Sequence, residues 1–111
     1  MSKKILGQSN PAATTVTTLY TVPSAKEAVI STISVANTTS TAATFRLILQ
    51  PSADVSATIL TKQYLAYDIT VGASDSTIIT IGITMATGDV IKVYASTATV
   101  AFQAFGDEAT A

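Results

Sequence analysis

The chain has 111 residues, six basic and seven acidic groups, a net charge of −1, and no cysteine, histidine or tryptophan. These absences exclude a disulfide framework, a thiolate metal site, and the imidazole that most often serves as general base or metal ligand. Charged residues are 12% of the chain, against roughly 25% in an ordinary soluble domain. One domain with one core is expected, under a surface unusually poor in ions.

Residues 1–13 read as an N-terminal arm, with Lys3 and Lys4 followed by Gly7, Asn10 and Pro11. A β-domain is expected over 14–106 and a short C-terminal tail over 107–111. The first predicted strand, TVTTLYTV (15–22), stops at Pro23, which has no N–H for a ladder. KEAVISTISVAN (26–37) follows, with Val29, Ser31, Ile33 and Val35 on one face and Ala28, Ile30, Thr32 and Ser34 on the other. After a polar loop at 37–41, ATFRLILQ (43–50) sets Phe45, Leu47 and Leu49 against Thr44, Arg46, Ile48 and Gln50, and ends at Pro51.

The segment 52–63 suits a loop with a helical turn or a short strand. YLAYDITV (64–71), STIITIGITM (76–85), DVIKVYAS (89–96) and TVAFQAFG (99–106) are the remaining strands, with GASD (72–75) as a turn. Gly82 within its strand marks a bulge or a close backbone approach. Phe45, Phe102 and Phe105 are expected in the core. About seven or eight short strands with little helix make an all-β fold, an antiparallel β-sandwich of jelly-roll-like or Ig-like kind. No apolar run approaches the roughly 18 residues of a membrane helix. MSKKILGQSNP lacks the apolar stretch of a secretory signal, so the chain is expected to be soluble, unanchored and made in the cytosol.

Catalytic and metal patterns are missing. Without histidine no Ser/His/Asp constellation can form. The carboxylates Asp54, Asp68, Asp75, Asp89, Asp107 and Glu108 are scattered, without calcium-loop spacing. Asp89, after Gly88, is expected to cap a turn. Single glycines make no phosphate loop, and the charge balance gives no basic stripe for nucleic acid. No catalytic residue, cofactor or metal is therefore assigned, and the chain is expected not to be an enzyme. KQYLAYD (62–68) carries Tyr64 and Tyr67 three apart, a spacing that puts the rings on opposite faces of a regular strand. The depleted charge has two readings: serine and threonine hydrate the surface while alanine inflates the apolar count, or, as expected here, other subunits cover much of that surface.

The phrases LGQSNPAATTVTTLYTVPS, VISTISVANTTSTAATFRLIL, KQYLAYD, IGITMATGDVIKVYAS and VAFQAFGDE, spanning Leu6 to Glu108, resemble small virion structural proteins of tailed bacteriophages. The resemblance implies a β-sandwich protein of the virion, synthesised in the host cytoplasm, with an assembly role. Capsid cement, or decoration, is the first expectation: a homo-oligomer, expected to be a trimer, bridging capsomers through the major capsid protein or other virion proteins. A tail or baseplate component, with a receptor- or glycan-binding tip, is the alternative. Neither nucleic acid nor membrane is an expected partner. Interface residues are expected at Lys3, Lys4, Ile5 and Leu6, and at Tyr20, Tyr64, Tyr67 and Tyr94.

Overall fold

A computed structural model describes residues 2–111. It contains eight strands: β1 (Ser2–Ser9), β2 (Thr17–Thr21), β3 (Lys26–Asn37), β4 (Ala43–Gln50), β5 (Tyr64–Val71), β6 (Ser76–Met85), β7 (Val90–Ala95) and β8 (Val100–Thr110). They form two antiparallel sheets, β1-β8-β3-β6 and β2-β7-β4-β5. β1 pairs with β8, β2 with β7, β3 with β6 and β4 with β5. The chain is thus one long hairpin, turning between β4 and β5, rolled until β8 also meets β3 and β7 meets β4. That winding makes the sandwich a jelly roll, with β1 and β2 as edges on one side and β5 and β6 on the other.

Alternation builds the core. Ile33, Val35, Phe102 and Ala104 from one sheet face Phe45, Leu47, Ile91 and Val93 from the other, all essentially inaccessible to solvent. Phe45 and Phe102 cross the gap edge to face, with ring centroids 6.1 Å apart. Thr87 and Gly88 turn the chain between β6 and β7, and Gly88 takes φ +85°, as the third residue of a type II turn requires. Asp89 caps that turn: its carboxylate accepts the backbone N–H of Ala86 and of Ser52, each at 2.9 Å.

Several expectations are corrected. Residues 2–9 of the expected arm are strand β1, in register with β8 from Ser2 opposite Glu108 to Ser9 opposite Phe102; Met1 lies outside the described residues. Leu6 is an extra residue in that ladder, and the bulge erases the period-2 alternation by which a strand is read. The expected tail, 107–111, instead extends β8 to Thr110, paired with Lys26.

In β3 the buried face is Ala28 and Ile30, then Ile33 and Val35. Ser31 bulges against β8, and one extra residue reverses which side chains face inward. On the other flank Ile81 and Gly82 together oppose Ser31, so Gly82 lies in a bulge, with nothing within 4 Å of where a Cβ would stand. Phe105 is only half-buried, on the outer face of its sheet. Segment 52–63 forms two single-turn 3-10 helices, Ser52–Asp54 and Thr61–Gln63. The loop carrying them lies over outward-facing Ile48, Gln50 and Val90 and buries them. Gln50 donates to Gln63 at 3.0 Å, and the Lys92 ammonium donates to the Val55 carbonyl at 2.8 Å. Among the described residues, no helix is long and apolar enough to cross a membrane.

Candidate functional site

Two clusters gather the residues that the sequence marks as interface material. The first joins the N- and C-terminal strands. β2 brings Tyr20 into the core, where its hydroxyl donates to Glu108 Oε2, while the Lys4 ammonium sits 2.6 Å from Glu108 Oε1. The Lys4 contact, then the Tyr20 hydroxyl, hold the Glu108 carboxyl below its ordinary 4.5. Burial, reinforced by the Glu108 carboxylate, raises the Tyr20 hydroxyl well above its ordinary range. Tyr20 is therefore a core residue, and Leu6 also packs against the core. Lys3, Lys4 and Ile5 stay exposed and border a shallow outer groove with Ser31, Phe105 and Asp107. Of the expected arm contacts, only these three are presented outward.

This cluster is a clamp, and its pH dependence has a definite sign. A carboxyl with a lowered native pKa stabilises the fold above its unfolded pKa and ceases to do so as pH falls. Glu108→Gln is expected to lower stability at neutral pH by about 1 kcal/mol, because a buried hydroxyl loses a charged acceptor. The same variant should flatten the loss of stability expected as pH falls below about 4.5. Thermal melts across pH 3–7 check both (roughly the carboxylate range).

The second cluster lies on the outer face of the β2-β7-β4-β5 sheet. Arg46 on β4 stands opposite Tyr94 on β7, and its guanidinium carbon lies 4.2 Å from the centroids of both the Tyr94 and Tyr67 rings. Asp68 locks the stack: its Oδ1 accepts Arg46 Nε–H at 2.7 Å and its Oδ2 accepts from Nη2 at 3.3 Å. That contact raises the already basic guanidinium further and lowers the Asp68 carboxyl. Both charges are committed to each other. The cluster can stack and dock.

Tyr64 joins its edge, with its ring centroid 4.9 Å from that of Tyr67 and the planes 87° apart. Opposite faces were expected for this pair, and β5 is too irregular to obey that rule. Tyr64 opposes Ile48, Ala66 opposes Leu47 and Ile69 opposes Phe45, so the ladder slips twice, and Asp68 adopts φ +51°. Each slip turns the following side chains. With Ile59 and Thr61 the two rings line an open groove.

Beyond Tyr67 the surface turns apolar. Among the described residues seven large hydrophobic side chains are exposed, and Leu60, Leu65, Tyr67, Ile69 and Ile78 all lie on or just before the β5–β6 side. Ile78 is the most exposed, at 65%. Between Thr61 and Met85 the charged residues are Lys62, Asp68 and Asp75, with none in β6. Sequence reasoning missed Arg46, the pairing of Asp68 and of Glu108 with their partners, and the exposed Ile69 and Ile78. The signal was there in β6, whose isoleucine–threonine alternation leaves one isoleucine on the polar face.

No protein-family model, curated protein or solved structure matches this chain.

Proposed function

We propose that this chain is a non-enzymatic virion structural protein that works by covering neighbouring subunits, in the first place as a capsid cement. The observation that carries the assembly role is the β5–β6 side, where Leu60, Leu65, Tyr67, Ile69 and Ile78 are exposed on or just before the edge strands of the two sheets. Exposed apolar patches of this kind, rimmed by polar residues, suit protein contacts. The virion setting rests on the resemblance of the strand-and-turn phrases. The fold does not choose among functions, since jelly rolls serve in capsid shells and in lectins alike. Bridging several subunits at once multiplies modest contacts into a lasting attachment.

The Tyr64–Tyr67–Arg46–Tyr94 cluster favours a second reading, a tail or baseplate tip that docks a receptor or glycan. One binding experiment separates the two. Purified chain should co-sediment with shells that lack it and leave phage adsorption to host cells unchanged. Competition with adsorption, without shell binding, selects the tail reading and rejects cement.

A further inference from the structure

We infer that the copies join through their β6 strands, paired antiparallel edge to edge about a two-fold axis at Ile78. The inference deepens the self-association part of the assembly reading, and it begins from how each sheet edge is guarded. An open edge offers unpaired N–H and C=O groups to any other open edge, so proteins protect theirs with lysines, bulges or short strands. β1 carries exposed Lys3 and Lys4 and the Leu6 bulge. β2 has five residues and slips register at Leu19. β5 slips twice and carries Asp68.

β6 is different. It is ten residues long, with neither charge nor proline, and Ser76–Thr80 pair with β3 without a register break. The bulge at Ile81 and Gly82 comes after that window. A strand edge needs another strand edge as its partner, and within this chain only the β6 of a second copy is equally open. Nothing charged on β6 asks for a partner of opposite sign.

Symmetry then sets the register. A two-fold contact pairs residue i with j and j with i. A five-residue window pairs with itself completely only when its midpoint lies on the axis. Ile78 then opposes Ile78, Thr77 opposes Ile79, and Ser76 opposes Thr80. The most exposed large apolar side chain is covered by its own copy, and two four-stranded sheets become one of eight. Such pairing is two-fold by construction and replaces the three-fold arrangement that the resemblance implies.

Sedimentation equilibrium of the full chain is the test, with Ile78→Lys and Ile78→Cys as variants. Wild type should be a dimer, and Ile78→Lys should weaken dimerisation at least about a hundredfold, because like charges would meet on the axis. Thr18→Lys, on the guarded β2 edge, should dimerise like wild type. Opposed residues of an antiparallel pair lie within disulfide range. With no other cysteine in the chain, Ile78→Cys should cross-link under mild oxidation and Thr84→Cys should not. A wild-type monomer or trimer, an unaffected Ile78→Lys dimer, or an Ile78→Cys chain that does not cross-link overturns the proposal. A monomer that still binds shells rejects the β6 pairing and keeps the cement reading; a β6 dimer that ignores shells does the reverse.

Discussion

Gly106→Ala is expected to lower the stability of the domain by about 3 kcal/mol or more, the largest loss available from a single methyl group here. Gly106 is buried on β8 opposite Ile30, and a Cβ there would stand 2.0 Å from the Val29 carbonyl oxygen and 3.0 Å from the Ile30 Cα. Both obstacles are backbone, so no rotamer change relieves them. The Ser31 bulge draws β3 across β8 at this point, and the bulge cannot flatten without returning Ile33 and Val35 to the outer face. Urea unfolding measures the effect. Gly82→Ala is the control: the space around it is open, and its change should stay within about 0.5 kcal/mol.

Phe102→Ala should cost about 3–5 kcal/mol by leaving a cavity between the sheets. Phe102 has no solvent exposure, and it meets Phe45, which belongs to the other sheet. Its loss therefore weakens the contact that holds the two layers together. The urea midpoint should fall with its slope unchanged, the mark of lost stability in an unchanged fold. A Phe45→Ala, Phe102→Ala double-mutant cycle should return a coupling of about 0.5–1.5 kcal/mol from the edge-to-face pair.

Most of the fold was legible because most strands announce themselves. β3, β4, β5 and β6 occupy the predicted spans, and three of the four are bounded by residues that resist continuation: Asn37, Pro51 and Gly72. β7 and β8 begin one residue inside their predicted spans. Bulges hid the rest. Leu6 broke the alternation that would have revealed β1, and Ser31 exchanged the faces of β3 midway. Two slips in β5 brought together tyrosines that a regular strand separates. Such insertions depend on neighbouring strands, which a single strand's sequence does not contain.

The candidate interaction surface was less legible for a related reason. Tyrosines were singled out for their chemistry, but exposure is decided by layers. Tyr20 went into the core with its hydroxyl on Glu108, whereas Ile78, unremarkable in an apolar run, ended up outside. Arg46 gained its role from Tyr94 across the ladder and Tyr67 beyond the slip, a meeting that needs both neighbouring strands. Poverty of charge was the one surface property readable directly; the structure adds that Leu60, Leu65, Tyr67, Ile69 and Ile78 are exposed on or just before β5 and β6.

That location makes the account vulnerable to a single measurement: the rupture temperature of shells lacking this chain, with and without saturating protein. The account predicts a clear rise that is lost when the β5–β6 side is made polar by Leu65→Lys together with Ile69→Lys. An unchanged rupture temperature, or a rise that survives those substitutions, would contradict it.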